Sequence, residues 1–302
     1  MSTLESAARS ARLAEEPWQD SAPSGTLIQG SGRSLRRIAD QRELLGLLVR
    51  RELKARYKDS TLGFVWSLLR PLSVLLVYYV AIGKVLGAQR AIPDFAIYIF
   101  TGLTAWQLFL EIVNGSTASI VGNAGLVKKV YLPREVFPLS TAGSALFNFG
   151  TQLVILIAAM LAIGRVPTGT RLLYVPLSLA VLLVFAVAIG LFLAAVNVYL
   201  RDVQYLVEIG TNILFWASPV VYSWKLVSDA LDGSWLETLY LCNPVTLAVL
   251  GMQRAFWVAG SDQPVPDDLA GRLFIALGIG VVLLWLSQRL FNRLEGNFAQ
   301  EL

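Results

Sequence analysis

The side chains that carry out most enzyme chemistry are scarce in this sequence. Its 302 residues include no histidine and a single cysteine, Cys242, which excludes histidine-based catalysis, histidine metal sites and an intrachain disulfide. A phosphate-binding loop is also missing, because Gly83-Lys84 lacks both the upstream glycine and the following hydroxyl that such a loop needs. We therefore predict no catalytic residue, no metal site and no cofactor bound by this chain.

The sequence does offer aromatic and amide side chains within long apolar stretches. Aromatic rings stack on the C–H faces of sugars and amides hydrogen-bond to hydroxyl groups, so such a set could line a path for an uncharged glycan. The same side chains could instead pack against lipid or join neighbouring helices, and this ordinary interpretation stays open for each of them. The residues that we single out for a substrate path are Tyr78, Trp106, Asn148, Asn197 and Trp216.

Charged side chains are rare in these stretches, and each one is a candidate functional residue. We place Glu111 near the inner end of the second stretch and Lys84 near the outer end of the first. Both positions favour a side chain that snorkels to the membrane surface. A transporter driven by protons or sodium ions would carry carboxylates at mid-depth. We expect none here, which argues against ion-coupled transport.

The elements that must position these residues are apolar stretches of about 20 residues, long enough to cross a hydrocarbon layer of about 30 Å. They predict an all-α, polytopic membrane protein with six transmembrane helices and both termini in the cytoplasm. The fifth stretch is short and ends at Pro219, so a broken or re-entrant helix is an alternative there. The predicted spans are residues 65–86, 95–113, 139–163, 172–196, 205–221 and 273–290.

The predicted orientation depends on the residues before the first span. Eleven of the 25 Lys and Arg residues precede Leu62, so the positive-inside rule places this segment in the cytoplasm. Residues 1–39 predict a disordered cytoplasmic tail. Residues 40–60 predict an amphipathic helix in the membrane surface, with packing on a soluble domain as the alternative. Its basic residues, which we expect to face anionic lipid rather than nucleic acid, are Arg50, Lys54, Arg56 and Lys58.

Two connecting segments are long enough to have structure of their own. The inner one, residues 123–135, predicts a short basic and aromatic helix between glycine and proline. The outer one, residues 222–271, predicts short amphipathic helices at the outer membrane interface, where aromatic rings prefer to lie. The aromatic residues assigned to that interface include Trp224, Trp235, Tyr240, Phe256 and Trp257.

Several motifs occur in a recognisable order along the chain. They are residues 51–58, Leu62-Gly63 with Trp66, residues 128–135, residues 197–202, Ser218-Pro219-Val220 and Asn243-Pro244. Their order resembles the membrane subunit of ABC-2-type exporters, which have a type V transmembrane domain. The resemblance is closest to the branch that exports O-antigen, teichoic acid and related lipid-linked glycans, and it covers roughly Arg42 to the C-terminus.

The resemblance implies a pore made of two copies of this chain and two separate ATPase chains that bind ATP and Mg²⁺. It implies that residues 40–60 are the interface helix, that residues 61–302 are the transmembrane domain and that the segment after span 5 forms gate helices. It also implies a coupling helix within residues 123–135 that docks into the ATPase. The coupling residues would be Leu126, Val127, Lys128, Lys129, Tyr131 and Arg134.

Two other functions stay open at this point. An ABC-2 exporter of a small lipid or drug would show the same features. An integral membrane glycosyl- or acyltransferase would need clustered acidic residues at the cytoplasmic face. Only Asp202 and Glu208 lie near the inner end of the fifth span, so the transferase is the weaker of the two alternatives.

Overall fold

The computed structural model describes residues 41–57, 65–129, 132–231 and 234–302. In these ranges the chain is mainly helical and contains no β-strand, which confirms the predicted all-α fold. The predicted tail at residues 1–39, Lys58 and Tyr131 lie outside the described residues. We number the α-helices α1 (Arg42–Tyr57), α2 (Val65–Tyr78), α3 (Phe95–Gly122), α4 (Ala124–Lys129), α5 (Val136–Ile163), α6 (Tyr174–Tyr199), α7 (Val203–Trp216), α8 (Trp224–Leu231), α9 (Trp235–Leu241), α10 (Pro244–Phe256), α11 (Leu269–Leu294) and α12 (Phe298–Glu301).

Among the described residues, five helical segments are long and apolar enough to cross a membrane. They are Val65–Val85, Phe95–Gly122, Val136–Ile163, Gly169–Tyr199 and Leu269–Glu301. The first joins α2 to a π-helical turn, Tyr79–Val85. These five correspond to predicted spans 1, 2, 3, 4 and 6.

Helix α3 is longer than the sequence predicted, because it continues to Gly122 instead of ending near Val113. The residues after Val113 are small and polar, which favoured a loop. Their hydroxyls bond back to helix carbonyls instead: Thr117 Oγ1 donates to the Val113 oxygen at 2.7 Å and Ser119 Oγ donates to the Ser116 oxygen at 2.7 Å. This local bonding lets polar residues continue a buried helix.

The fifth predicted span is not a straight transmembrane helix. Helix α7 has 14 residues, about 21 Å at 1.5 Å per residue, which is short of a hydrocarbon core. It ends before Ser218-Pro219, where proline disfavours further helix. The irregular backbone that follows is buried, with Ser218 and Val220 at 0% exposure, and the Pro219 oxygen accepts a bond from Gln253 Nε2 at 3.1 Å. The structure therefore matches the broken-helix alternative.

Helix α3 is the centre of the bundle and packs against α5, α6 and α10. Two glycines allow these close contacts. A Cβ atom on Gly190 in α6 would lie 2.7 Å from the Ser116 Cβ atom, and one on Gly102 in α3 would lie 2.5 Å from the Val220 oxygen. Small residues at such crossings let helix backbones approach closely. In a membrane this close packing is itself a main source of helix association.

The outer segment differs from the prediction of interfacial helices alone. Helices α8 and α9 carry exposed apolar residues such as Trp235, which is 72% exposed. Helix α10, in contrast, is buried between α3, α6 and α11. Trp224, Phe256 and Trp257 are buried as well, so their assignment to the membrane interface was wrong. The sequence feature that indicates a separate helix here is the apolar run that begins at Asn243-Pro244. These two residues start the helix, and the Asn243 side chain accepts a hydrogen bond from the Val245 N–H.

Two phenol side chains join α9 to the segment before α8. The oxygens of Tyr222 and Tyr240 lie 3.0 Å apart. Burial raises the pKa of Tyr240, and burial also raises the pKa of Tyr222. Both groups are therefore neutral near pH 7 and act here as hydrogen-bonding groups rather than as charges.

Helix α1 packs along the first half of α5. Leu48 is buried. Val49 packs so closely on α5 that a Cβ atom added to Gly143 would lie only 2.7 Å from Val49 Cγ2. Leu48 and Val49 on the apolar side of α1 therefore pack against the rest of the chain. The position of this helix in the membrane surface stays a prediction.

Contacts at the helix ends show which elements share an end of the bundle. At the Trp257 end, the Trp257 Nε1–H donates to the Pro93 oxygen at 2.6 Å, next to the start of α3. At the α1 end, Arg51 Nη2 donates to Asn123 Oδ1 at 2.6 Å, directly after α3. Helix α12 contacts α4 at this second end. The first and last described helices therefore lie at the same end of the bundle.

Candidate functional site

A cavity of about 880 Å³ lies between α2, α3, α5 and α7. It reaches the surface of the chain along α2 and α7. The walls of this cavity differ in chemistry, so we describe them one at a time.

One wall is aromatic. Trp106 on α3 is 6% exposed, and its ring packs edge-on against Phe215 of α7, with centroids 5.4 Å apart. The Tyr78 ring of α2 lies 6.1 Å from the same phenylalanine. Phe215 therefore joins the three helices, and its ring was not singled out from the sequence. Such a surface is suited to contact with flat apolar faces of a ligand.

A second part of the lining is polar and follows one stripe of α3. Gln107, Glu111 and Asn114 lie four and three residues apart, so they share a helix face. Asn148 Nδ2 on α5 donates to Glu111 Oε2 at 2.6 Å, and Gln107 Nε2 donates to Glu111 Oε1 at 3.1 Å. Gln152, one turn after Asn148, continues this wall along α5. The Glu111 carboxylate is thus oriented by amides from two helices.

Two buried acceptor atoms on this wall have no hydrogen-bond partner among the described residues. They are Asn148 Oδ1 and Asn114 Oδ1. Buried polar atoms are usually paired, and an unpaired one costs free energy. Both residues line the cavity, although these two oxygens are themselves shielded from solvent.

Glu111 lies well inside α3, not near its end. The helix continues to Gly122, so the predicted position of Glu111 near the helix end was wrong. Snorkelling of this side chain and the absence of a carboxylate at mid-depth stay predictions, because the length of α3 does not fix the depth of Glu111 in a membrane.

The mouth of the cavity carries the other charged residues of its lining, Arg70 on α2 and Glu208 on α7. Both side chains are exposed. Asp202, which we paired with Glu208 for a transferase, is exposed just before α7 and does not line the cavity.

The five predicted path residues divide into two groups. Tyr78, Trp106 and Asn148 line the cavity. Trp216 is 56% exposed and points away from it, while Asn197 is buried elsewhere and donates through Nδ2 to the Thr117 oxygen at 2.9 Å. Asn197 therefore joins α6 to α3. Helix periodicity around Phe215 could have separated it from its neighbour Trp216.

The predicted coupling residues form a two-sided element at the α1 end. Val127 is buried and Leu126 packs beside it, whereas Lys128 and Lys129 are exposed. Arg134 follows, with its guanidinium carbon 5.7 Å from the centre of the Phe298 ring in α12. The apolar side of this element anchors it to the bundle and leaves two ammonium groups in solvent.

The basic row of α1 lies at the same end. Arg50 and Lys54 are exposed, and Arg56 belongs to the last turn of this helix. The neighbouring Glu52 carboxylate accepts bonds from Ser140 Oγ at 2.6 Å and from Ser144 Oγ at 2.7 Å, both on α5. Glu52 thereby fixes α1 against α5 while Arg50 and Lys54 stay exposed.

In the part of the chain that the structure describes, no three His, Cys, Asp or Glu side chains lie close enough together to hold a metal ion. The arrangement around the cavity can bind and guide a ligand through ring contacts and hydrogen bonds. Its polar wall contains one carboxylate, oriented by amides, and no paired acid and base.

Comparisons with known proteins agree with the resemblance drawn from the sequence. The O-antigen export system permease protein RfbA of Myxococcus xanthus is 33% identical over 270 residues, 89% of this chain and 99% of that protein. Its namesake from Klebsiella pneumoniae is 27% identical over 258 residues, 85% and 94% of the two chains. The polysialic acid transport protein KpsM of Escherichia coli is 26% identical over 188 residues, 60% and 70%. Residues 43–257 match the family described as ABC-2 type transporter, and this chain therefore belongs to that family.

Proposed function

We propose that this chain is the membrane subunit of an ATP-driven exporter that moves a lipid-linked polysaccharide outward across the cytoplasmic membrane. The observation that carries the proposal is the cavity with one aromatic wall and one amide-rich wall. A sugar presents apolar C–H faces and a rim of hydroxyls, and the two walls complement these two kinds of surface. The names of two relatives, an O-antigen export permease and a polysialic acid transport protein, support the same substrate class.

A second copy of the chain would complete the channel. Helix α2 has no buried residue, and Leu76 and Val77 on it are 62% and 64% exposed. Helix α7 exposes Leu206 and Ile213 to a similar extent, at 65% and 66%. These apolar surfaces flank the open side of the cavity, where a second copy would bury them. In this arrangement the broken α7 segment counts as the fifth of six crossings, and both termini are cytoplasmic.

The energy source would be two separate ATPase subunits that bind ATP and Mg²⁺. Family membership supports this proposal, and so does the position of α4. Lys128 and Lys129 are exposed on α4 at the end of the bundle that also carries α1 and its basic row. Residues 123–135 would be the coupling segment, α1 the interface helix and α8 and α9 the gate helices. The basic row would face the ATPase and anionic lipid head groups.

Reconstitution in vesicles tests the proposal. The chain, co-expressed with a candidate partner ABC ATPase, is inserted into inside-out vesicles with a radiolabelled undecaprenyl-linked hexose polymer on the outer side. We expect the polymer to become protected from added glycosidase only when ATP is present. The isolated chain should hydrolyse no ATP, and hydrolysis by the isolated chain would contradict the proposal.

Export of a drug-sized molecule or a small lipid is the second candidate. The cavity volume of about 880 Å³ lies within the range that drug-sized ligands use. To distinguish the two functions, we would measure which compound stimulates ATP hydrolysis by the reconstituted complex. Stimulation by a panel of amphipathic drugs, with no response to the lipid-linked polymer, would favour the second candidate.

A further inference from the structure

The buried apolar side chains of the described residues fall mainly into two clusters, and the smaller cluster lies at the α1 end of the bundle. The larger cluster contains Trp106 and Phe215 of the cavity wall. The smaller cluster joins side chains of α1, α3, α4, α5, α6, α11 and α12, among them Val127 of the predicted coupling segment. The coupling segment is therefore anchored in a core that is distinct from the core around the cavity.

Helix α12 contributes one ring to this smaller cluster. The helix has four residues, of which Phe298 is 0% exposed and the other three are exposed. The Phe298 ring packs edge-on against the rings of Phe291 and Tyr199, with centroids 5.4 Å and 6.1 Å apart. The Tyr199 O–H also donates to the Leu294 oxygen at 2.9 Å, at the end of α11. Phe298 thereby ties α12 to two long helices, α6 and α11.

The same ring also contacts the coupling segment. The Arg134 guanidinium carbon lies 5.7 Å from the centre of the Phe298 ring, within the distance of a cation–π interaction. Helix α12 contacts α4 as well. Because α4 has only six residues, its own backbone hydrogen bonds give it little rigidity. The contact with α12 therefore connects the coupling segment to α6 and α11, independently of its chain connections to α3 and α5.

We propose that Phe298 is a positioning residue that holds the coupling segment at a fixed angle to α6 and α11, so that movement of α4 is passed to the whole bundle. This inference rests on the proposed function, in which residues 123–135 dock on the ATPase. With the ring in place, a displacement of α4 moves the ends of α6 and α11 with it, because closely packed side chains are hardly compressible and transmit strain. Without the ring, part of this displacement is absorbed at the α1 end, and ATP is hydrolysed with less transport.

The test measures how much ATP is hydrolysed for each polymer transported. The full chain and its candidate partner ATPase are reconstituted in inside-out vesicles, and phosphate release and protection of the undecaprenyl-linked hexose polymer are measured in the same sample. We expect Phe298→Ala to raise the ratio of ATP to polymer at least about fivefold, the lower end of typical coupling between two sites. Phe298→Leu keeps a larger apolar side chain in the cluster, so its ratio should lie between those of the wild type and Phe298→Ala.

The matched control separates this role from a loss of stability. Phe185→Ala removes a ring that is 6% exposed from the larger cluster, where it packs on Gly280 of α11. Both alanine variants should lower the melting temperature in detergent, because each leaves a cavity. Only Phe298→Ala should change the ratio of ATP to polymer, since Phe185 does not belong to the cluster that holds the coupling segment.

Each result decides between the two claims. A wild-type ratio in Phe298→Ala, or in Phe298→Leu if the alanine variant does not assemble, overturns the role of Phe298 and leaves the proposed function intact. An equal rise in Phe185→Ala also overturns it, because loss of stability alone would then explain the effect. If the wild type transports no polymer and its ATP hydrolysis responds to drugs instead, the proposed function is overturned and this inference with it.

Discussion

Helix α3 and the segment Val65–Val85, which joins α2 to the π-helical turn, are both apolar and long enough to span a membrane, yet the fold treats them in opposite ways. Most of the apolar part of α3 is buried inside the chain, whereas none of that of Val65–Val85 is. Mean hydropathy does not distinguish the two segments, because they are similarly apolar. The difference lies in small and polar residues: α3 has Gly102, Ser116 and Thr117 at its crossings, and α2 offers mostly branched apolar side chains. Apolar character inserts a helix, and small residues determine its protein contacts.

The largest effect expected from this contrast comes from paired truncations. Phe109→Ala in α3 removes a ring that is 2% exposed, and we expect a loss of about 3–5 kcal/mol in the free energy of unfolding. Leu76→Ala in α2, where the side chain is 62% exposed, should change it by less than about 1 kcal/mol. Unfolding of the detergent-solubilised monomer measures both. Similar losses of unfolding free energy in the two variants would contradict the structure, because Leu76 would then have to be buried within the monomer.

A smaller effect is expected when a single methyl group is added. Gly102→Ala places a Cβ atom 2.5 Å from the Val220 backbone oxygen, and overpacking of this kind costs about 1–3 kcal/mol. The matched control is Gly278→Ala in α11, where a Cβ atom would meet nothing within 4 Å. The melting temperature in detergent should fall for the first variant and stay or rise for the second. A neutral Gly102→Ala would mean that the α3 contact with the irregular segment is loose.

The contact of α1 with α5 should contribute less to stability. Glu52→Ala leaves the Ser140 and Ser144 hydroxyls without their carboxylate acceptor, and we expect a loss of about 1–3 kcal/mol, at the upper end if water does not reach the site. The triple variant, which adds Ser140→Ala and Ser144→Ala to Glu52→Ala, also removes the two donors. We expect it to lose about as much unfolding free energy as Glu52→Ala alone. Hydrogen exchange of the α1 amides measures the loosening. Unchanged exchange in Glu52→Ala would show that apolar packing alone holds α1.

The smallest effect on folding is expected at the coupling segment. Lys128→Glu with Lys129→Glu reverses two exposed charges, so the melting temperature should change little. Association with the ATPase subunits should weaken, and a pull-down with the co-expressed ATPase measures it. Lys225→Glu, an exposed lysine on α8, is the charge-matched control. An unchanged complex would remove these two lysines from the docking surface.

Much of the fold was predictable because long apolar stretches are a strong signal. Where the prediction failed, short-range chemistry opposed the hydropathy signal. The polar residues after Val113 looked like a loop, but their hydroxyls bond within α3. Helix α10 looked interfacial because it lies among aromatic and polar residues, although its own side chains are almost all buried.

The site was predictable only in part. Residue type was enough to select Tyr78, Trp106 and Asn148, but residue type alone does not distinguish Trp216 from Phe215, of which only the second lines the cavity. Glu111 was recognised and then assigned to a helix end, because α3 was predicted to end near Val113. A pocket made by four helices depends on tertiary contacts, and one sequence alone does not determine them.

The irregular segment after α7 has a mechanical consequence for any transport cycle. Gln253 on α10 donates to the Pro219 oxygen and Tyr98 on α3 donates to the Tyr222 oxygen, at 3.1 Å and 2.7 Å. Since α7 forms one side of the cavity, tilting it to widen the passage must either drag α10 with it or break these bonds. Widening of the cavity is thereby linked to movement of the helices at its far end.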